Sequence, residues 1–495
     1  MPTSTFQIHT SVLFDPKKRV FLKNISLEID PLSGEIVDTT TRTDQEDASL
    51  IITKSSRDID LRGKIVLPGL VDAHTHIFIH DYNERNGTQQ MRDQSIIERT
   101  IRASNHARAA LLAGYTTYRD LGTEALGNAD ANLRDCINRG LTPGPRLFVA
   151  TDALASSGSY ELRVENRLGN DGSNRVGLSV PRAADQADGI WGVRAGVRRR
   201  ISEGADVIKF YADYRRRTMR WPSDVRGPGG KVLHPPKQRN PAVPLYTQEE
   251  MKAIVEEAKL LAEAPVAAHT GETRTAIWAS QAGVTTVEHV FEDSYGVEEE
   301  MFRVLKENKT IWVPTLATAE ELPAEMFEAC KRRVRRAYER GVKIAAGGDT
   351  GTFNHGLNVK EIEIMVECGM KIEDALEAAT ILGWEACGGD MSGFRFGWFE
   401  KGNRADVIAL DSDPREDKKA LRKVGFVMKD GKVWKRDGVA VDMIVVPQWP
   451  GESDVSGGET SSSEEWSDLE VVEPKQAAMV VPVPVCKPGK PSGSS

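Results

Sequence analysis

The sequence predicts an α/β protein: a (β/α)₈ TIM barrel with a small, discontinuous β-sandwich domain that both chain ends form. Eight short apolar runs, rich in β-forming residues, alternate with longer helix-like stretches over most of the chain. Strand-like alternation also precedes the first run and returns after the last one, so the two ends can build one sheet domain. A doubly wound open sheet would give the same alternation, but no glycine-rich phosphate-binding turn follows the first run.

The predicted barrel strands and helices carry recognisable end signals. The eight runs span residues 65–78, 115–122, 146–154, 206–212, 265–271, 285–290, 310–316 and 342–351. One helical candidate begins at Thr247, an N-cap residue type, with Glu250 at the capping-box position. Another spans residues 325–341 and ends on a glycine.

Changes in pattern divide the chain into four predicted segments. Residues 1–66 and 391–446 would form the two parts of the β-sandwich domain, and residues 67–390 the barrel. Residues 447–495 are rich in Ser, Glu, Pro and Gly. Such a segment buries too little apolar surface to offset its ordering entropy, so we expect a disordered tail.

The composition of the 495-residue chain limits the class of protein. Hydrophobic residues make up 40% and charged residues 28%, as in ordinary globular proteins, and the formal net charge is −8. That charge gives no support for nucleic-acid binding, and no apolar run is long enough to span a membrane. The start of the chain lacks a secretory signal pattern, and the five cysteines are scattered without a CxxC pair. We therefore expect reduced thiols and a cytoplasmic protein.

The first candidate metal ligands are His74 and His76. They are two residues apart in a strand-like run, so their side chains point to the same face. Two imidazoles on a rigid strand suit a divalent metal ion. Taken alone, the pair is a weak signal in a chain with nine histidines.

Four further polar residues lie on later runs. Lys209 is in the fourth run, where it is either a salt-bridged or snorkelling lysine or one carbamylated by carbon dioxide to bridge two metals. His269 and His289 end apolar runs, where a hydrogen-bonded core histidine is commoner than a ligand. Asp349 follows two glycines in the last run, where a helix N-cap is the alternative.

The six residues together favour one site over six separate explanations. They fall on the first, fourth, fifth, sixth and eighth runs, each in the C-terminal half of its run. In a barrel, this is the face where active sites form.

These motifs also resemble a known family. LPGLVDAHTH, VIKFYA, VAAHTGE, TTVEHV, VPTL, IAAGGDTG and KGNRADVIALD occur in the family's order over about residues 60–435. The chain resembles the amidohydrolase superfamily of metal-dependent hydrolases, in particular its imidazolonepropionase-like and prolidase-like branch, which includes Xaa-Pro-type carboxypeptidases and ochratoxinase.

The resemblance implies a hydrolase acting on carbon–nitrogen bonds through a two-metal-activated hydroxide. His74 and His76 would bind the first metal ion together with Asp349, and His269 and His289 the second, with carbamylated Lys209 bridging both. Zinc suits this ligand set, which also accommodates manganese, cobalt or iron. Asp349 would be the catalytic residue that accepts the proton of the nucleophile and passes it to the leaving nitrogen.

Clues to the substrate are weaker. The basic segment 213–241 is either an exposed excursion or a lid that presents Arg or Lys to an anionic group, such as a free carboxylate. Tyr211, His234 and His355 are candidate substrate contacts. The expected partner is a small molecule, with no nucleic acid and no membrane, and homo-oligomerisation is left open.

Three hypotheses for function remain. The first is hydrolysis of an amide bond in a dipeptide-like or N-acyl amino-acid substrate. The second is hydrolysis or deamination of a cyclic amide or amidine, as in imidazolonepropionase-like enzymes, which tend to use one metal and lack the lysine at the position of Lys209. The third is a non-catalytic scaffold, which would be expected to have lost some of the six ligands.

Overall fold

The structure of the protein is a computed structural model that describes residues 5–52, 57–157, 160, 183–215 and 242–444. The predicted tail, the candidate His234 and nearly all of the basic segment 213–241 lie outside these residues. By their contacts, the described residues all belong to one compact unit, within residues 1–445. The predicted division of residues 1–446 into barrel and sandwich segments stays a prediction.

Strands and helices alternate through most of the described chain. The strands are β1 (Phe6–Asp15), β2 (Val20–Lys23), β3 (Ile25–Asp30), β4 (Glu35–Thr41), β5 (Ile59–Pro68), β6 (Leu70–Thr75), β7 (Tyr115–Asp120), β8 (Arg146–Val149), β9 (Leu154–Ala155), β10 (Asp185–Gln186), β11 (Ile208–Tyr211), β12 (Asp213–Arg215), β13 (Ala242–Pro244), β14 (Val266–Glu272), β15 (Thr286–Glu292), β16 (Ile311–Val313), β17 (Val407–Leu410), β18 (Val424–Lys429), β19 (Lys432–Arg436) and β20 (Val439–Ala440). The helices are α1 (Asp44–Ser49), α2 (Gly87–Asp93), α3 (Ile96–Leu112), α4 (Ala129–Asn138), α5 (Gly189–Ser202), α6 (Gln248–Ala262), α7 (Thr273–Ala282), α8 (Glu298–Glu307), α9 (Leu316–Ala319), α10 (Ala324–Glu339), α11 (Val359–Glu367), α12 (Ile372–Ala378) and α13 (Ile381–Ala386).

Local sequence signals explain where two of the predicted helices begin and end. The Thr247 side chain accepts from the Glu250 backbone N–H, and the Glu250 carboxylate accepts from the Thr247 backbone N–H, which confirms the predicted capping box. Helix α10 ends just before Gly341, whose φ of +72° suits a residue without a side chain.

The central strands are parallel. Strands β6, β7 and β8 pair in that order, and β9, β11, β14, β15 and β16 form a second parallel series, with β10 paired to β9. The Asp206 amide donates to the Val149 carbonyl across 2.8 Å and so joins the two series. The fold is therefore a mixed α/β fold with parallel strands at its centre.

The eighth predicted strand, 342–351, is only partly regular. Ile344 forms a parallel bridge with Trp312 of β16, and Thr350 forms one with Thr75 of β6. The Ala73 amide also donates to the Ala346 carbonyl at 3.0 Å. Between the two bridges lies a pair of glycines, and Asp349 adopts a φ of +59°, so the segment follows its neighbours without a continuous ladder.

Both chain ends contribute to a second, nine-stranded sheet. Its order is β20-β19-β18-β17-β5-β1-β3-β4, with β2 paired to β1. One face carries a separate apolar core of residues from both ends, including Leu27, Val66 and Phe426. The nine strands from the two chain ends form one hydrogen-bonded sheet. The predicted β-sandwich would therefore require this sheet to fold over itself.

A buried group of charges connects this sheet to β8. We call Arg146, Arg404, Asp406, Lys429 and Asp430 the arginine cluster. Arg146 donates to Asp406 at 2.9 Å and to Asp430 at 2.5 Å, and Arg404 donates to Asp430 at 2.6 Å. Lys429 donates to the Gly144 carbonyl at 2.9 Å. Each of its five side chains therefore has a hydrogen-bonding partner within the cluster or on the adjacent backbone.

No helix in the described ranges is both long and apolar enough to cross a bilayer. The four cysteines among the described residues are free thiols: Cys136, Cys330, Cys368 and Cys387.

Candidate active site

Four histidines from three central strands converge at one point. We call His74, His76, His269 and His289, with Lys209 and Asp349, the histidine cluster. The ring of His289 has its centroid 4.8 Å from that of His74 and 4.5 Å from that of His269. The rings of His74 and His76 are 5.4 Å apart. The structure thus brings the four predicted histidines together.

Strand register places four side chains of β11, β14 and β15 on one face. Lys209 pairs with Ala267, Tyr211 with His269, and His269 with Glu288. Residues paired in adjacent parallel strands share a face of the sheet, and alternate residues along a strand return to it. Lys209, Tyr211, His269 and Glu288 therefore face the same side.

His289 reaches this face by a different route. As the neighbour of Glu288, it would point to the opposite side of a regular strand. Its φ of +73° and that of Val290, +64°, depart from strand geometry and allow its ring to approach His269. Positive φ at a buried β-branched residue is costly, and such strain is concentrated at functional sites.

Asp349 completes the group. Its carboxylate lies 3.2 Å from Nε2 of His76 and 3.4 Å from Nε2 of His74. Ligand atoms of these three residues all lie within 4.8 Å of one another, close enough to hold a metal ion. A Cβ atom on Gly347 would come within 2.9 Å of His74, and one on Gly351 would meet the His76 backbone at 2.6 Å. Glycines on both sides therefore let this segment approach β6 closely.

The outer nitrogens of three histidines are engaged by the protein. Nδ1 of His74 donates to Glu288 at 2.8 Å, Nδ1 of His76 donates to the Gly122 carbonyl at 2.9 Å, and Nδ1 of His289 is hydrogen-bonded to Thr315 at 2.8 Å. Such bonds fix the ring orientation and leave Nε2 for another partner. Nε2 of His74 is buried and has no hydrogen-bond partner among the described residues.

Burial and charge shift the protonation of the cluster. Burial and the charge of Lys209 lower the pKa of His74 to about 4, although Asp349 and Glu288 act in the opposite direction. For His76, burial also acts downward, but the Asp349 carboxylate outweighs it and raises the pKa to about 9. Burial would raise the pKa of Asp349, yet the adjacent histidines hold it well below its usual range. Asp349 is therefore a carboxylate at neutral pH.

Lys209 is buried with 2% of its surface exposed. Burial lowers its pKa to about 8, although the charges of Glu288 and Asp349 act in the opposite direction. About a tenth of this side chain is thus the neutral, nucleophilic amine at pH 7, far more than for an exposed lysine.

Sequence reasoning missed the residues that support the histidines. Glu288 accepts hydrogen bonds from His74 and, at 2.9 Å, from Arg119, and its pKa is about 2: burial raises it, but the Arg119 charge and the His74 contact outweigh burial. Arg119 also donates to the carbonyls of Ala73 and Ala386. The signal for Glu288 was a charged residue within an apolar run, one position before a candidate ligand.

Asp72 supports His74 in a similar way. It accepts from the His74 backbone at 3.0 Å, from Thr350 at 2.8 Å and from Asn358 at 2.6 Å. Burial raises its pKa to about 6 despite these bonds. Asp72 therefore ties β6 to the segment that carries Asp349.

The candidate substrate contacts have different surroundings. The ring of Tyr211 lies 4.9 Å from that of His269, at the edge of the histidine cluster. The ring of His355 instead stacks on His106 at 4.3 Å, and its Nε2 contacts the Ile79 carbonyl at 3.1 Å. These contacts are with helix α3 and with the chain after β6. His234 lies outside the described residues.

The chain is similar to known proteins in both sequence and structure. The sequence pattern of the amidohydrolase family matches residues 65–435. No curated protein sequence gives a significant match.

Several solved structures resemble the whole fold. A Xaa-Pro dipeptidase with methionine bound in its active site is 29% identical, with a TM-score of 0.68. The match covers 87% of this chain and 100% of the dipeptidase chain. A prolidase complexed with N-methylphosphonate-L-proline is 27% identical, covers 88% and 100%, and has a TM-score of 0.67. Ochratoxinase of A. niger is 26% identical, covers 89% and 98%, and has a TM-score of 0.68.

The family match covers more than half of the chain, and hydrolases of carbon–nitrogen bonds are among the structures it resembles. The chain belongs to the amidohydrolase family, and it is a hydrolase acting on carbon–nitrogen bonds.

Proposed function

We propose that this protein hydrolyses the amide bond of a dipeptide-like or N-acyl amino-acid substrate, using two divalent metal ions. The observation that carries the proposal is the histidine cluster, in which buried imidazoles meet a carboxylate and a buried lysine. The similarity to a Xaa-Pro dipeptidase and a prolidase supports a substrate of this class.

The residues present fit a metal. An imidazole nitrogen that is buried and unpaired, as Nε2 of His74 is among the described residues, needs a partner to offset its loss of hydration. His74, His76 and Asp349 would hold one ion; His269 and His289 would hold the other. Mixed nitrogen and oxygen donors suit zinc, which we propose as the metal.

When bound, the ions would supply Lewis acidity and lower the pKa of water toward neutrality. Asp349 is kept ionised by its histidine neighbours, so it can accept a proton from the attacking water. The same carboxyl group would then deliver that proton to the leaving nitrogen.

Lys209 is proposed to be carbamylated. Its neutral amine would attack the carbon of carbon dioxide, form an N–C bond and lose a proton, which leaves a carbamate anion. Burial favours this modification because it disfavours the ammonium form. The carbamate oxygens would bridge the two ions, and this role favours a two-metal amidase over the one-metal cyclic-amide enzymes.

We also propose that the central strands close into a (β/α)₈ barrel of residues 67–390. The hydrogen bonds that link residues 344–350 to both β16 and β6 support closure. Residues 1–66 and 391–446 are proposed as the sandwich domain, supported by their shared core. A cytoplasmic location is proposed from the four free cysteines in the described ranges.

The test is a hydrolysis screen of Xaa-Pro and other dipeptides, N-acyl amino acids and cyclic imidazolones with zinc supplied. We expect cleavage of linear amides. The Asp349→Asn and Lys209→Ala variants should each lose roughly 10²–10⁴-fold in kcat. Cleavage confined to cyclic imidazolones would reject the proposal, as would near-wild-type turnover in both variants.

A further inference from the structure

Next to the histidine cluster lies a wall of aromatic rings that contains one carboxylate. Tyr160 stacks on Tyr211 with 4.4 Å between ring centroids. Tyr214 stands edge-on to both, at 5.0 Å and 5.7 Å. The rings of Tyr211 and Tyr214 also lie 4.9 Å and 5.7 Å from that of His269. We call Glu124, Tyr160, Tyr211 and Tyr214 the tyrosine wall.

Glu124 is the charged member of this wall. Its carboxylate accepts a hydrogen bond from the Tyr160 hydroxyl at 2.5 Å and from the Tyr211 hydroxyl at 3.4 Å. One oxygen lies 3.7 Å from Nδ1 of His76, so the carboxylate is next to a proposed metal ligand. Its backbone adopts a φ of +54°, and the next residue, Ala125, has +74°. Two consecutive non-glycine residues in this region are strained, and functional sites are where such strain persists.

Among the described residues, His76 is the one basic side chain within 4.0 Å of the Glu124 carboxylate, and its Nδ1 donates to the Gly122 carbonyl instead. No lysine or arginine nitrogen of the described residues lies within 4.0 Å of this carboxylate. The nearby guanidinium of Arg99 instead donates to the carbonyls of Phe78 at 3.1 Å and Thr123 at 2.9 Å. Two phenol hydroxyls use part of the acceptor capacity of a carboxylate, which can accept about four hydrogen bonds. We therefore expect the substrate to supply a further hydrogen-bond donor to the Glu124 carboxylate.

The chemistry of the tyrosine wall determines which charge the substrate group should carry. Aromatic faces attract cations through their quadrupoles, and a carboxylate attracts them directly. An anionic group in the same place would be repelled by Glu124. The wall therefore matches an ammonium group and disfavours a carboxylate or a neutral acyl group.

We propose that the tyrosine wall binds the free α-ammonium of a dipeptide, with Glu124 as the specificity-determining residue. This inference rests on the proposed function and decides between its two substrate classes. In a dipeptide, the α-nitrogen is two bonds, roughly 2.5 Å, from the scissile carbonyl carbon. A carbonyl at the histidine cluster thus leaves the ammonium beside His76, where Glu124 lies.

The test compares Ala-Pro with N-acetyl-Ala-Pro, which differ in the charge of this nitrogen. Their kcat/KM values are measured with zinc-loaded wild-type protein, with Glu124→Gln, and with Glu307→Gln as a matched control on the exposed face of α8. We expect wild type and the control to prefer Ala-Pro. The preference should fall by about 10- to 100-fold in Glu124→Gln, since a charge-assisted hydrogen bond is lost. In Tyr160→Phe the preference should fall less.

Binding gives a second readout that does not need turnover. Calorimetric titration of both peptides into metal-stripped protein should show tighter binding of Ala-Pro, with the difference lost in Glu124→Gln. Equal binding, or a preference for the acetylated peptide, would overturn the inference. Cleavage of N-acetyl-Ala-Pro alone would overturn it and leave the proposed amidase function intact. Failure to cleave either peptide, with selective binding retained, would count against the proposed function only.

Discussion

The histidine cluster and the arginine cluster are both buried and charged, yet they are built in opposite ways. In the arginine cluster, every side chain is paired within the cluster or with adjacent backbone, at 2.5–2.9 Å. In the histidine cluster, the bonds fix the outer nitrogens of three rings, and Nε2 of His74 is buried without a hydrogen bond among the described residues. Satisfied charges stabilise a junction, whereas an oriented nitrogen without a hydrogen bond is suited to a ligand.

The histidine cluster and the arginine cluster also differ in backbone geometry. His289, Val290, Thr315 and Asp349 all have positive φ around the histidine cluster. In the arginine cluster, only Asp430 has positive φ, and it lies in the turn before Gly431 between β18 and β19. The difference suggests that strain is retained where side chains must leave the pattern of regular strands.

The largest expected effect on stability is at the arginine cluster. Arg146→Ala leaves Asp406 buried without its cation, whereas Asp430 keeps Arg404, so the free energy of unfolding should fall by about 3–5 kcal/mol. Chemical denaturation measures this change. Arg335→Ala, at an exposed pair with Glu339, is the control and should change it by less than about 1 kcal/mol. Loss of turnover in Arg146→Ala without loss of stability would break the distinction between the clusters.

A smaller effect is expected at the support of the histidine cluster. Glu288→Gln removes the negative charge that orients His74 and pairs with Arg119. The affinity for metal should fall by about 10- to 100-fold, as for other partners of metal-binding histidines. Competition with a chelator measures it, and Glu307→Gln serves again as the control. An unchanged affinity would mean that Glu288 belongs with the structural charges.

The sequence was sufficient for the parts of the site that follow regular alternation. His74 and Lys209 lie on strands as predicted, and the apolar runs at 115–122, 206–212 and 285–290 each contain a strand. Alternation could not place His289 correctly, because its positive φ turns it from the face that a regular strand would give it. His76 likewise lies one residue beyond the end of β6, where no strand periodicity applies.

Contacts between residues far apart in the sequence were harder to predict. Glu288 and Arg119 are 169 positions apart, and neither was singled out from the sequence. Glu124 was not singled out because it follows a strand in a turn that is recognised only from its backbone angles. The eighth strand was predicted, but its irregularity was not. Apolar content does not reveal where a pair of glycines interrupts the hydrogen-bond ladder.

The central claim is that the histidine cluster binds two metal ions, whereas the arginine cluster binds none. Its most direct test is the metal content of the purified full-length chain after zinc loading and removal of free metal, by elemental analysis. We expect about two equivalents per chain in wild type and in Arg335→Ala, and fewer than two in Lys209→Ala. A folded wild-type protein that retains no divalent metal would contradict the central claim.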